Sequence, residues 1–315
     1  MLQRTQDDDL ASVPEVTVIL PTCDRPHLVG RALDSLRAQT FTDFELLLVD
    51  GNRHEPPVSE NPQLAEALQD PRVRVLDGRA TRNAAMSRNV GLQAAHGTWI
   101  AFLDDDDAYR PDKVEAQHRL ACTSGSPLVL CGYEFVWPGR RRRRQVDRAR
   151  FCGDEILTRA FLGSPVLFHR RDDQVRFDER LTAGEDLNYA LQLVIRHQLR
   201  ELPCVPRPLV VVYPPSAGRS GVHHDKAAVW RACRVSARLA TRGNFSRAAR
   251  HALLAQGRLE RSMEGYGGNG HFCRCVFAVL RLRGAHEWRF ALYALLARIR
   301  HAAPKPDLPV TSHDF

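Results

Sequence analysis

Apolar runs and helical stripes alternate along the first third of the chain. Val16-Thr-Val-Ile-Leu-Pro21 predicts a buried strand, and a helix over 27–39 places Leu28, Val29, Ala32, Leu33 and Leu36 on one side. Phe44-Glu-Leu-Leu-Leu-Val-Asp50 reads as a second buried strand. A Pro-rich loop over 52–60 leads to a short helix over 63–69, and Arg72-Val-Arg-Val-Leu76 alternates like a strand with one buried face. The stretch 81–97 predicts a helix closed by Gly97. Trp99-Ile-Ala-Phe-Leu103 then forms an apolar run that stops abruptly at four carboxylates, Asp104 to Asp107, and Pro111 opens the next helix, over 111–122.

Further strands are expected over 127–137, 164–168 and 208–213, with a helix starting at 183 and running to 195. Pro138-Gly139 turns the first of these into Arg140–Arg144. Five like charges suit the solvated tip of a hairpin, with phosphate contact as the sharper alternative. From 226 onward the pattern is helical, over 226–241, 245–262, 271–282 and 285–301, with a Gly-rich turn at 265–270. In the last helix Trp288, Leu292, Leu295 and Ile299 share a face that either packs on the body or lies in a membrane interface. Strand–helix alternation over 16–123 implies an α/β protein with a parallel, helix-covered sheet. The division expected is a tail at 1–14, a main domain at 15–224, a basic helical C-terminal region at 225–302 and a tail at 303–315.

Charge sharpens that division. The net charge is +8, and residues 225–315 hold 16 Lys+Arg against 6 Asp+Glu, so the basic excess lies in the C-terminal region. This points to an anionic partner surface such as phospholipid headgroups. Nucleic acid is disfavoured by the lack of a recognisable module or aromatic stacking platform. The preponderance of Arg over Lys is compatible with codon bias and carries little functional weight. Eight scattered cysteines form no CxxC pair, and Cys273-Arg-Cys275 lacks zinc-knuckle spacing, so reduced thiols in a cytoplasmic protein are expected. The N-terminus is acidic and lacks an apolar signal region, and no apolar run approaches the ~18–20 residues of a membrane span. The expected location is cytoplasmic, with peripheral attachment to the cytoplasmic face of the membrane as an option.

The acidic edge is the main chemical candidate. Carboxylates at the carboxyl end of a parallel strand lie where open α/β sheets bind ligands, and they suit Mg²⁺ or Mn²⁺ carrying a phosphate. Alternatively, the run is a solvated turn that caps a helix. No GxGxxG follows the first strand and no GxxxxGK[ST] occurs, which disfavours a dinucleotide fold and a P-loop ATPase.

Five segments together resemble family-2 glycosyltransferases: Val18-Ile-Leu-Pro-Thr22, Phe44–Asp50, Arg88-Asn-Val-Gly91, Gly97–Asp107 and Gly184-Glu-Asp186. They occur in that family's order and cover roughly 15–220. The resemblance implies a GT-A fold, a Rossmann-like, mostly parallel central sheet with flanking helices, to which the C-terminal helices are an appendage. It implies an inverting hexosyl transfer from a nucleotide-diphosphate sugar, usually a UDP-sugar, to a glycan or lipid-linked acceptor, with Mn²⁺ or Mg²⁺. Polysaccharide or glycolipid assembly is the implied setting.

By the same resemblance, Pro21, Thr22 and Asp50 would hold the nucleobase; Gly51 stands where many members carry a second carboxylate that touches the base. Arg82 and Arg88 would reach the nucleotide. The Asp-x-Asp element matches Asp104-Asp105-Asp106, with Asp104 and Asp105 near the ribose, Asp106 as the direct metal ligand and Asp104 a second one. Four consecutive Asp leave this register open by one. Asp186 matches the general base. Glu185, His223 and His224 are further candidates for the acceptor or diphosphate, although acidic residues in a first helical turn are also explained by the helix dipole. A non-catalytic sugar-nucleotide-binding subunit of the same fold is the alternative function.

Overall fold

The computed structural model describes residues 13–137, 140–144, 149–158, 163–213 and 226–262, with the backbone alone at 140–144. The start of the N-terminal tail, His223 and His224, Cys273 and Cys275, the predicted helices 271–282 and 285–301, and the tail 303–315 lie outside the described residues.

Four parallel strands build the first half of the sheet: β1 (Val16–Thr22), β2 (Phe44–Asp50), β3 (Val73–Asp77) and β4 (Trp99–Phe102), in the order β3-β2-β1-β4. The first, second and fourth are apolar almost throughout because both faces are covered. Val16, Val18, Ile19, Leu20, Leu47, Leu48 and Phe102 are wholly inaccessible. β3 lies at the sheet edge. The expected buried face is only half-realised there: Val73 and Leu76 are partly buried, and Val75 is exposed.

The connecting helices are α1 (Pro26–Arg37), the single turn α2 (Ala65–Leu68) and α3 (Ala84–Ala94). α1 starts at Pro26, whose fixed φ suits a first helical position. α3 starts on Asn83, whose carbonyl oxygen accepts the Met86 amide hydrogen bond at 2.9 Å.

The second half of the sheet is mixed. The chain continues through β5 (Ala108–Tyr109), α4 (Lys113–Ser124), β6 (Leu128–Trp137), β7 (Arg140–Arg144), β8 (Arg150–Cys152), α5 (Gly153–Thr158), β9 (Phe168–Arg170), α6 (Glu185–Arg196) and β10 (Glu201–Val212). β9 runs antiparallel to both β4 and β6, joining the parallel half to the parallel β6–β10 pair, and β5 pairs antiparallel with β10. Three differences from the sequence expectation have physical reasons. The predicted strand at 164–168 is a 3₁₀ turn at Ser164–Val166, where Pro165 lacks an amide donor, and extended pairing starts only at Phe168. Arg140–Arg144 is the return strand of the hairpin, paired antiparallel with β6, rather than its tip. β10 begins seven residues earlier than expected, because register shifts around Pro208 absorb prolines that a regular ladder excludes.

Two further helices, α7 (Lys226–Leu239) and α8 (Arg247–Ser262), pack on the body. Asn188 of α6 donates a hydrogen bond to the Ser236 hydroxyl of α7 at 3.3 Å, both residues being buried. Among the described residues, no helix is long and apolar enough to cross a membrane.

Candidate active site

Register carries the ends of the parallel strands to one edge. Thr22 pairs with Asp50, and Asp50 with Asp77. The Leu103 amide donates to the Ile19 carbonyl at 3.0 Å, so the chain leaves β4 beside the end of β1 and enters the acidic run at that edge.

The four carboxylates alternate in environment. Asp105 is wholly buried and Asp107 nearly so, whereas the side chains of Asp104 and Asp106 are 31% and 27% exposed. Asp105 accepts the Thr22 hydroxyl at 2.8 Å and an Arg25 N–H at 2.5 Å. Asp107 accepts the Tyr213 amide at 3.3 Å, which ties the exit of β10 to the acidic run. Asp106 meets the other arm of Arg25 at 3.1 Å, and Asp104 meets Arg88 at 2.7 Å. Burial pushes the Asp105 carboxyl up to about 7 against the pull of Arg25. Asp106 is likewise raised, by burial and then by Asp104, and Asp107 is raised well above the ordinary range by burial and its acidic neighbours.

Arg88 joins this edge to a second element. Its guanidinium is 5% exposed and donates to Asp104 and, at 3.0 Å, to Glu185 in the first turn of α6. Asp186 follows directly. Its carboxylate lies near the Gly163 backbone, and burial together with the Glu185 charge raises it to about 8, with Arg88 pulling in the other direction.

Aromatic packing sets the distance between Asp186 and the acidic edge. Phe102, two residues before Asp104, meets Tyr189, three residues after Asp186, edge to face at 5.6 Å. Tyr189 stacks on Phe177 at 4.1 Å between centroids, and its hydroxyl and the His169 Nε2 lie 3.1 Å apart. The turn into α6 needs Gly184, which has φ +67° and whose absent Cβ would stand 3.0 Å from Ala232 of α7.

At the opposite end of the edge, Asp50 is consumed by the local backbone. Its two oxygens accept the Asn52 amide at 3.0 Å and the Val58 amide at 2.8 Å. A Cβ at Gly51 would stand 2.9 Å from the Thr22 carbonyl oxygen, so a side chain has no room at this place. Asp24, with φ +51°, spans the gap instead. One oxygen of Asp24 accepts the amides of Arg53, His54 and Glu55 at 2.7, 2.9 and 3.3 Å, which holds its carboxyl down at about 2.

The structure thus brings together Thr22, Arg88, Asp104, Asp105, Asp106, Glu185 and Asp186. Pro21 lies at the end of β1 beside them, and Arg82 is exposed just before α3. Sequence reasoning missed Arg25, Asp24 and Asn89. The Asn89 side chain donates to the Phe177 carbonyl at 3.0 Å and accepts the Phe177 amide at 2.9 Å, clamping the loop before α6 to α3. The adjacency of Asn89 to Arg88 was the available signal for that residue.

The model of glycosyl transferase family 2 matches residues 17–182. The chain belongs to this family. It is 32% identical over 191 residues to the succinoglycan biosynthesis protein ExoO of Rhizobium meliloti, covering 55% of this chain and 54% of that protein. It is 29% identical over 122 residues to the Escherichia coli UDP-Glc:alpha-D-GlcNAc-diphosphoundecaprenol beta-1,3-glucosyltransferase WfgD, covering 38% and 46%. The chain therefore spans about half the length of these relatives. Among solved structures, S. aureus TarS 1-349 in complex with UDP-GlcNAc superposes with a TM-score of 0.63 at 18% identity, covering 90% of this chain and 80% of that one. At that identity the likeness shows the fold, which is GT-A.

Proposed function

We propose that this chain transfers a sugar from a nucleotide-diphosphate donor to an acceptor hydroxyl with inversion, Asp186 acting as general base. The observation that carries the reading is the Arg88 bridge, which fixes the partly exposed Asp104 at the sheet edge against the Glu185–Asp186 turn. The donor diphosphate would lie along the Asp104–Asp106 edge and the acceptor against Asp186, on a different element, as in-line displacement requires. A carboxyl raised to about 8 is a far stronger base than an ordinary aspartate, and proton removal by a positioned base typically contributes ~10²–10⁴ in rate. Arg88 counters the mutual repulsion of Asp104, Glu185 and Asp186, so the base can ionise near neutral pH.

Two carboxylates of the acidic edge would hold a divalent ion with substrate phosphates, since no group of three or more metal-ligating side chains forms a ready site among the described residues. Asp104 and Asp106 are partly exposed to solvent, each with one carboxylate oxygen beyond the one that meets an arginine. Mg²⁺ is commonly held by one or two carboxylates with substrate phosphates completing the shell, and their alternating exposure favours this pair over Asp105 and Asp107. Bound there, Mn²⁺ or Mg²⁺ would supply Lewis-acid neutralisation of the leaving diphosphate. Asp105 and Thr22 would keep the edge rigid, with Pro21, Asp50 and Arg82 bordering the nucleobase end.

A UDP-sugar is the favoured donor, supported by the names of WfgD and the TarS complex, and a polysaccharide or lipid-linked acceptor by those of ExoO and WfgD. The basic residues 225–315 would hold the protein at the cytoplasmic face of an anionic membrane. Binding of the full chain to anionic but not neutral vesicles supports this attachment, and absence of binding at physiological salt removes it. The activity is tested by a screen of UDP-, GDP- and dTDP-sugars with Mn²⁺ or with EDTA, reading nucleotide release. Metal-dependent release from one donor class supports transfer. Donor binding without release under any condition would instead favour the non-catalytic binding subunit.

A further inference from the structure

Two arginines neutralise the acidic edge, and they differ in kind. Arg88 is 5% exposed and locked between Asp104 and Glu185. Arg25, at the start of α1, is 39% exposed and spans Asp105, which is wholly buried, and Asp106, which is 27% exposed. Its backbone is fixed from behind. The left-handed Asp24 is held by three amides of the loop after β2, and the Asp24 amide donates to Asn52 Oδ1 at 2.6 Å. The guanidinium is therefore delivered to Asp106 by a rigid turn while keeping an open side toward the cleft.

Asp105 also has the Thr22 hydroxyl, so its second oxygen remains satisfied if Arg25 moves. Asp106 has Arg25 alone among its ion pairs. Only the arm on Asp106 sits where water reaches it, so that contact is weak enough to exchange while the contact to buried Asp105 holds, and a guanidinium recognises phosphate as readily as carboxylate.

From this geometry we infer that Arg25 is a built-in, exchangeable counter-cation of Asp106. It competes with a divalent ion for that carboxylate and moves to the donor diphosphate when the nucleotide arrives. Metal and nucleotide binding are thereby coupled: the free protein takes the metal weakly, and the diphosphate releases Asp106 to it. The inference rests on the proposed metal-assisted reading of the Asp104–Asp106 edge.

The test is Mn²⁺ binding by the full-length chain, read from the electron paramagnetic resonance signal of free Mn²⁺, with and without UDP. The proteins compared are the wild type, Arg25→Gln, Arg25→Lys and Asp106→Asn. Removing the competitor should tighten Mn²⁺ binding without UDP by roughly tenfold in Arg25→Gln. It should also shrink the further tightening that UDP produces in the wild type. Arg25→Lys keeps one point charge that cannot span two carboxylates, so it should fall between, and it carries the test if Arg25→Gln fails to fold. Wild-type Mn²⁺ affinity in the folded Arg25 variants, with binding lost in Asp106→Asn, overturns the inference and leaves the metal site standing. Unchanged Mn²⁺ binding in Asp106→Asn overturns both.

Discussion

Replacing Arg88 with Met removes a side chain that joins the acidic edge to α6, which carries the proposed base Asp186. Two charge-assisted hydrogen bonds are lost, at 2.7 Å to Asp104 and 3.0 Å to Glu185. Breaking a buried pair by deleting one partner costs about 3–5 kcal/mol. Asp104 is 31% exposed and Glu185 14%, so water recovers part of this and ~3 kcal/mol is the expected loss. For a protein of this size that lowers Tm by about 4–5 °C. The kinetic consequence is separate from the stability loss. Arg88 holds the Asp186 carboxyl down against burial and Glu185, so without it the base titrates still further above its raised value of about 8. The ascending limb of the pH–rate profile should move to higher pH, with most of the loss at neutral pH recovered at alkaline pH. Arg88→Lys should regain only part of both effects, because an ammonium cannot reach two carboxylates in a planar fork. Differential scanning fluorimetry and nucleotide release from pH 6 to 9.5 read the two effects. A Tm within about 2 °C of wild type, together with an unmoved limb, refutes the bridge.

Lys113 is wholly buried at the start of α4, with its ammonium 3.9 Å above the Tyr109 ring and no hydrogen-bond partner among the described residues. Burial lowers it to about 7 from 10.5. Between those values the unfolded chain holds the extra proton, so stability rises with pH; the penalty is complete below pH 7 and gone above 10.5. Lys113→Met should therefore gain about 4 kcal/mol at pH 6.5 and about 1 at pH 10, and a gain independent of pH in denaturant melts contradicts the account. Gly51→Asp restores the carboxylate of many relatives at a place where a Cβ meets the Thr22 carbonyl at 2.9 Å. It should cost about 1–3 kcal/mol and weaken UDP binding by calorimetry, whereas tighter UDP binding would show that the turn yields.

The parallel strands β1, β2 and β4 were legible because a strand covered on both faces is a continuous apolar run. β5, β8 and β9 were not, at two or three residues each, since partners distant in the sequence hold them in place. The N-terminal half of β10 was masked by Pro203, Pro206 and Pro208, which only a shifted register accommodates. Asp104, Asp106, Arg88 and Asp186 were singled out by their motifs, and the structure gathers them at one edge. The register of the four Asp was not, because it depends on which carboxylates face the core. Arg25 could not be read either: its partners lie 80 and 81 residues away, and an arginine in a turn looks like any solvated charge. The role of Asp50 changed in emphasis, from facing a base to holding the turn beneath it.

The central claim is that Asp186 removes the acceptor proton at a donor site built by the acidic edge. It is tested most directly by Asp186→Asn, comparing the kcat of sugar transfer with the Kd for UDP. A kcat reduced about 10²–10⁴-fold with UDP affinity nearly unchanged is expected, because the amide keeps the shape of the turn and the proposed nucleotide contacts lie on other elements. Near-wild-type turnover in Asp186→Asn would contradict it.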